Sequence, residues 1–267
     1  MTQRTGSEAG LVYVQAADSR SVCLADEVPV ALTYNGTTQA VMMASPLDLE
    51  DFLIGFSITE GLIAQPAEIE SLEIVEHDDG YEARAWLATQ TAARFTARRR
   101  AMLGPVGCGL CGIDSIEQAV RAVPAASASQ TIRIAVSTPA RALEEMRGHQ
   151  VLHGKTRATH AAGFWREGQG IVCIREDVGR HNALDKLVGA LLRSGTEIGG
   201  GAIVMTSRLS VDLVQKAAMV GAPVIVAPSA PTALAVRQAE QAGITLVARQ
   251  GDRVGVYTHP QRVADEG

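Results

Sequence analysis

Cys108 and Cys111 are the residues whose type and spacing most directly indicate chemistry in this chain. They lie within residues 104–112, a segment that also holds four glycines and a proline. Residues 94–112 contain four arginines and no carboxylate, and nearby positive charge lowers the pKa of a thiol and favours the reactive thiolate. Glycine and proline disfavour a regular helix or strand. The segment therefore predicts an accessible loop that carries a working cysteine pair.

A C-x-x-C pair can also bind zinc or form a redox-active disulfide. A structural zinc site needs four ligands, whereas Cys23 and Cys173 are isolated in the sequence. A zinc-dependent base deaminase needs an upstream H-x-E pattern, which is missing here. A thiol–disulfide pair of the thioredoxin type remains open, although that pair normally opens a helix after a strand.

Composition and charge narrow the class of protein. The 267 residues can form one large domain or two smaller ones, and 46% apolar with 20% charged residues is ordinary for a globular protein. A net charge of -5 argues against general nucleic-acid binding. The N-terminus lacks the apolar stretch of a signal peptide, and no apolar run reaches membrane-spanning length. We expect a cytoplasmic protein.

The pattern along the chain predicts four segments. Residues 1–10 are polar and predict a flexible tail, and residues 11–100 predict a small strand-rich α+β unit. Within that unit, Asn35-Gly36 predicts a hairpin turn, and a helix is predicted from about Asp48 to Gly61. Residues 101–130 form the cysteine loop and a linker, and residues 131–267 form a second domain.

The second domain alternates strands and helices. Strands are predicted over 132–136, 170–175, 202–206, 223–227, 244–248 and 254–258, and helices over 139–148, 181–194, 211–220 and 232–242. Residues 202–205 and 224–226 are apolar throughout, as strands buried on both faces must be. The pattern predicts a layered α/β domain with a mostly parallel sheet, in which ligands bind where strands end.

Three of the predicted strand ends carry groups that suit an anion. Arg180 and His181 follow one strand, Arg208 the next, and Ser229 the third. Hydroxyls and free N–H groups at helix N-termini bind phosphates, although the commoner use of such hydroxyls is to cap the helix. The clustered arginines favour a phosphate-bearing ligand. His160 and His181 could bind that ligand, act in acid–base chemistry, or serve as hydrogen-bond nodes that stabilise the fold.

Taken together, these motifs resemble those of the formate dehydrogenase accessory sulfurtransferase family, FdhD. The resemblance extends from residue 46 onward in family order and is densest in residues 108–112, 159–163, 175–186, 207–210, 221–223, 227–232 and 256–258. It implies an α/β core similar to that of cytidine deaminases, without their zinc site and with no intrinsic metal. It also implies a homodimer.

The resemblance implies a function as well. Such proteins take sulfur from a cysteine desulfurase as a persulfide and pass it to the molybdenum or tungsten of a bis(molybdopterin guanine dinucleotide) cofactor, which formate dehydrogenase needs. Cys108 would be the persulfide carrier and Cys111 its partner. The guanine dinucleotide contact carries over onto six consecutive residues: Ala248, Arg249, Gln250, Gly251, Asp252 and Arg253. A non-catalytic cofactor escort and a thiol–disulfide oxidoreductase are the alternatives. The sequence leaves open which dehydrogenase and which metal are served.

Overall fold

The computed structural model describes residues 4–15, 20–102, 124, 132–250 and 253–264. The strands are β1 Arg4–Glu8, β2 Leu11–Gln15, β3 Ser21–Ala25, β4 Val28–Tyr34, β5 Thr37–Ala44, β6 Ile69–His77, β7 Gly80–Leu87, β8 Ile134–Ala135, β9 His160–Arg166, β10 Gly170–Asp177, β11 Ala202–Met205, β12 Val224–Ala227, β13 Thr245–Gln250, β14 Arg253–Val256 and β15 Val263–Ala264. The α-helices are α1 Leu49–Thr59, α2 Thr89–Met102, α3 Thr138–His149, α4 Val151–Thr156, α5 Arg180–Arg193, α6 Val211–Met219 and α7 Ala233–Ala242. None of these helices combines the length and apolar character needed to cross a membrane.

Two sheets form the N-terminal part of the described chain. Strands β1, β2 and β3 make an antiparallel sheet, so a paired strand replaces the predicted flexible tail from Arg4 onward. A second sheet has the order β5-β4-β7-β6. The predicted hairpin between β4 and β5 is confirmed: Asn35 and Gly36 have φ values of 48° and 75°, as a tight turn with two left-handed residues requires.

Helix α1 joins this N-terminal part to the second domain. Its aromatic residues Phe52 and Phe56 pack in the core of the second N-terminal sheet. Its opposite side meets α5 so closely that a Cβ atom on Gly55 would lie 1.7 Å from the backbone oxygen of Asp185. A Cβ atom on Gly189 of α5 would likewise lie 1.9 Å from the backbone oxygen of Asp51. Two glycines therefore let the helix backbones touch.

A six-stranded sheet with the order β10-β9-β11-β12-β13-β14 forms the centre of the second domain. The mixed α/β architecture agrees with the sequence prediction, but the mostly parallel pairing was wrong. Only β11/β12 and β12/β13 pair in parallel, whereas β10/β9, β9/β11 and β13/β14 are antiparallel. Two of these antiparallel pairs follow from chain length, because the connections from β9 to β10 and from β13 to β14 are too short for a parallel crossover. Strand β9 was not predicted.

Helices cover both faces of this sheet. On one face, Met146 of α3 shares a core with Ala161, Trp165, Val204 and Val226 of the strands. On the other face, α5, α6 and α7 share a core with the alternate strand residues, among them Ala162, Phe164, Ile203 and Ile225. The finer likeness to cytidine deaminases stays a prediction, as does the predicted division into domains.

Candidate functional site

The strand directions bring the predicted anion-binding turns to one edge of the sheet. Strands β11, β12 and β13 run in parallel, so the residues that follow them, including Arg208 and Ser229, share that edge. Strand β9 runs the other way and begins there with His160, which pairs with Asp177 at the end of β10. Arg180 and His181 then open α5. Gln250 pairs with Arg253 at the same edge.

The long polar run 175–186, in contrast, points largely into the fold. The Asp177 carboxylate is fully buried and lies 2.6 Å from the equally buried Lys186 ammonium. It also accepts hydrogen bonds from the backbone N–H of Ser45 at 3.0 Å and of Gly179 at 2.8 Å, and from the Asn182 amide at 2.9 Å. Lys186 donates in turn to the Ser45 carbonyl at 2.8 Å. These groups attach α5 to the segment before α1.

A second buried network ties α5 to α6 and to the end of α1. Lys216 Nζ lies 2.9 Å from the Asp185 carboxylate and 2.7 Å from that of Glu60. Thr59 donates its hydroxyl to Asp185 at 2.6 Å. Burial lowers the pKa of Lys216, but the two carboxylates outweigh that effect and raise its pKa, so the ammonium stays charged. This network, like the first, is structural.

Within this polar run, Arg180 and His181 are left to face the sheet edge. His181 Nε2 contacts the carboxylate of Asp212 in the first turn of α6. Burial raises the pKa of Asp212, but the hydrogen bond and charge of His181 outweigh it and hold the pKa well below its usual range. No ion pair to a described carboxylate is formed by Arg180 or by Arg208. The edge therefore keeps positive charge.

His160 lies at the centre of this positive region. The ring is half-buried, and its Nδ1 is 3.4 Å from the Thr206 hydroxyl. Burial lowers the pKa of His160, and the charges of Arg180, His153 and His181 lower it further. A bound anion would relieve this repulsion, because an opposite charge favours the protonated imidazole.

A cavity of about 630 Å³ opens beside His160, beneath α3 and α4. Its volume falls within the range of about 300–1,000 Å³ that is usual for small-molecule sites. It is lined by Leu143, Met146, Arg147, Gln150, His153, Gly154, Arg157, Ala158, Thr159, His160, Thr206 and Pro228. No role was assigned to Arg147, His153 or Arg157 from the sequence. Only the basic character of residues 147–160 could have indicated them.

Glu176 holds the wall of this cavity in place. Its buried carboxylate accepts the backbone N–H groups of Leu152 and His153, both at 2.8 Å, and the Thr159 hydroxyl at 3.1 Å. His153 Nδ1 is also 2.8 Å from the Thr159 carbonyl. Glu176 thus fixes both ends of the short helix α4, which carries His153 into the cavity lining.

The remaining predicted site residues lie only partly within the described chain. Cys108, Cys111, Gly251 and Asp252 fall outside the described residues. Ala248 is buried in β13, Arg249 follows it on the exposed side, and Gln250 ends that strand. Arg253 begins β14. The guanine contact expected from the resemblance would therefore lie on the β13–β14 hairpin, at the same sheet edge as Arg208 and Ser229. Its role in binding stays a prediction.

Comparisons with known proteins agree with this architecture. The model of the FdhD/NarQ family matches residues 25–264. A relative from Agrobacterium fabrum, named sulfur carrier protein FdhD, is 50% identical over 239 residues, 89% of this chain and 88% of the relative. A protein of the same name from Brucella abortus is 53% identical over 241 residues, 90% and 89% of the two chains. The crystal structure of a proposed formate dehydrogenase accessory protein from Desulfotalea psychrophila has a TM-score of 0.69 at 25% identity, over 99% of both chains.

The chain therefore belongs to the FdhD/NarQ family, which confirms the resemblance found in the sequence.

Proposed function

We propose that this protein is a cytoplasmic sulfur carrier that serves a formate dehydrogenase. The observation that carries the proposal is the identity of 50% over 89% of this chain to a protein named sulfur carrier protein FdhD. The polar edge of the central sheet supports it, because a carrier must also recognise its acceptor. A sulfur carrier does not need a buried set of catalytic side chains.

We propose that the transferred sulfur atom is carried on the thiol of Cys108. Its thiolate attacks the outer sulfur of a persulfide on a cysteine desulfurase, so a sulfur–sulfur bond breaks in the donor and a new one forms on Cys108. The donor cysteine leaves as a thiol or thiolate, and no external oxidant is consumed. Four arginines in residues 94–112 favour the thiolate that this exchange needs. In the later release, the Cys111 thiolate attacks the inner sulfur of the Cys108 persulfide, so the sulfur–sulfur bond breaks, the outer sulfur leaves as hydrosulfide and a Cys108–Cys111 disulfide forms, which an external thiol then reduces.

The proposed acceptor is the bis(molybdopterin guanine dinucleotide) cofactor, bound as a substrate. Its diphosphates suit the sheet edge, where Arg180 and Arg208 form no ion pair with a described carboxylate and His160 is repelled by neighbouring cations. The β13–β14 hairpin, with Arg249 and Arg253, supplies the proposed guanine contact. Homodimerisation belongs to the same proposal.

Calorimetry with guanosine and adenosine diphosphates tests the acceptor part of the proposal. We expect GDP to bind more tightly than ADP, and Arg253→Ala to weaken GDP binding. Arg237→Ala is a matched control, because Arg237 is exposed on α7 and lies outside the hairpin. Equal affinity for both nucleotides, or none for either, would contradict the cofactor assignment and favour the thiol–disulfide oxidoreductase.

A cofactor escort is the other alternative, and it makes a different prediction. An escort needs the nucleotide contact but no persulfide. In cells that lack this protein, Cys108→Ala should then restore formate dehydrogenase activity. The sulfur carrier predicts a dehydrogenase that contains its metal cofactor and is inactive.

A further inference from the structure

Positive charge flanks His160 on both faces of the central sheet. On the α5–α6 face, Arg180 and His181 lie at the start of α5. On the α3 face, the cavity beneath α3 and α4 contains Arg147, His153 and Arg157. The nucleotide contact proposed above lies further along the sheet, on the β13–β14 hairpin. The α3-face cavity shares His160 with the polar sheet edge, but none of its described lining residues belongs to the β13–β14 hairpin, so it is a further basic surface beside the proposed nucleotide contact.

The lining of the cavity has the chemistry of an anion site. Its described lining residues include two guanidinium groups and two imidazoles, and none of them is a carboxylate. Among the described residues, neither Arg147 nor Arg157 has an acidic partner within ion-pair distance. The Glu176 carboxylate, which lies behind this wall, is buried and accepts three hydrogen bonds from residues 152, 153 and 159. It therefore organises the wall of the cavity.

The cavity also offers polar groups at fixed positions and an apolar surface. Gln150 and Thr159 are buried in the wall, and the Thr206 hydroxyl lies beside His160. Leu143, Met146 and Pro228 form the apolar part of the lining. A site with this composition suits a phosphoryl group attached to a small apolar or ring-shaped body, because guanidinium groups pair with phosphate oxygens and the apolar side excludes water.

We propose that this cavity is a second anion site, which binds a phosphate ester or diphosphate while the β13–β14 hairpin holds a nucleotide. The inference rests on the nucleotide contact proposed for the hairpin, but it goes beyond that contact and does not depend on sulfur transfer by Cys108. The phosphoryl group can belong to a second part of the same large cofactor or to a free phosphate ester. The chemistry of recognition is the same in both cases.

Pyrophosphate titration by calorimetry tests the site directly, because pyrophosphate carries the proposed recognition group alone. We expect saturable binding to the full-length protein that persists when GDP is present at saturating concentration. Arg147→Ala and Arg157→Ala should each weaken pyrophosphate binding by roughly tenfold or more, since each removes a charge-assisted hydrogen bond. Both arginines are exposed at the surface, so these variants should fold, which circular dichroism will check.

Arg141→Ala is the matched control. Arg141 lies on the same helix, α3, but pairs with Glu145 and Glu167 and does not line the cavity. Its loss should leave pyrophosphate affinity unchanged. Protein loaded with the cofactor distinguishes the two sources of the phosphoryl group. If the loaded protein no longer binds pyrophosphate, the cofactor itself fills the cavity. If it still binds pyrophosphate, the ligand of the cavity is a free phosphate ester.

Three results would overturn the inference. They are an absence of pyrophosphate binding, a competition between GDP and pyrophosphate for one site, and equal losses of affinity in Arg141→Ala and Arg157→Ala. None of these results bears on whether Cys108 carries sulfur, so failure here and failure of the proposed function can be told apart.

Discussion

Replacement of Lys186 by methionine should destabilise the fold without altering sulfur chemistry. The side chain is fully buried, and its ammonium pairs with the equally buried Asp177 carboxylate at 2.6 Å. Burial lowers the pKa of Lys186, while Asp177 opposes that shift. In Lys186→Met the carboxylate keeps its hydrogen bonds from Ser45, Gly179 and Asn182 but loses the opposite charge.

The expected loss follows from the uncompensated charge. Removal of one partner from a buried ion pair costs about 3–5 kcal/mol. That is a large part of the roughly 5–15 kcal/mol by which a typical domain is stable. Asp177→Asn in the same chain should recover part of the loss, because it removes the orphaned charge, and coupling energies in such networks are about 0.5–3 kcal/mol.

Urea unfolding monitored by circular dichroism gives the free energies. Arg141→Ala is a surface control, since the Arg141 side chain is 50% exposed and its ion pairs should contribute less than about 1 kcal/mol. Persulfide loading of Lys186→Met, measured at a temperature where it is folded, should equal that of the wild type. A variant that kept full stability but lost sulfur loading would refute the conclusion that residues 176–186 are mainly structural.

Two further predictions concern the helix interface and the cavity wall. Gly55→Ala places a methyl group 1.7 Å from the backbone oxygen of Asp185, so it should lower the free energy of unfolding by about 1–3 kcal/mol or more. The control is Gly148→Ala in α3, where the new methyl group meets no atom within 4 Å and should be neutral or stabilising. Equal melting temperatures for the two variants would contradict the close packing of α1 on α5. Glu176→Gln replaces one of the two accepting carboxylate oxygens by an NH2 group, so either the Leu152 or the His153 amide loses its acceptor. The change should cost about 1–3 kcal/mol, with faster amide exchange at Leu152 or His153, whereas the exposed Glu144→Gln should change neither. Unaltered exchange at both amides in Glu176→Gln would show that Glu176 does not hold the wall.

Local signals in the sequence predicted the elements that depend on local geometry. Asn35-Gly36 predicted its hairpin because both residues readily adopt positive φ. The apolar strands β11 and β12 were recognised because burial on both faces requires them to be apolar throughout. Strand β9 was missed, since residues 160–166 show no alternation and become a strand only by pairing with β10 and β11.

The site could be predicted only in outline, for a similar reason. Strand order determines which turns meet, and the turns named from the sequence at Arg180, Arg208 and Ser229 do lie at one edge of the sheet, while their role in binding stays a prediction. It could not indicate which of several consecutive polar residues face inward: Asp177 and Asp185 are buried, whereas Arg180 and His181 face the edge. Their partners, Ser45 and Lys216, are 132 and 31 positions away. The two cavity arginines lie ten positions apart within the basic stretch 147–160, but nothing in that stretch indicates that both side chains line one cavity.

Intact-protein mass spectrometry after incubation with a cysteine desulfurase and cysteine tests the central claim most directly. The wild type should gain sulfur, and Cys108→Ala should not; Cys111→Ala should load but transfer poorly. Cys173→Ala should load like the wild type, because burial raises the pKa of the Cys173 thiol and disfavours its thiolate. Loading of Cys108→Ala to the level of the wild type would contradict the proposal that this protein carries sulfur on Cys108.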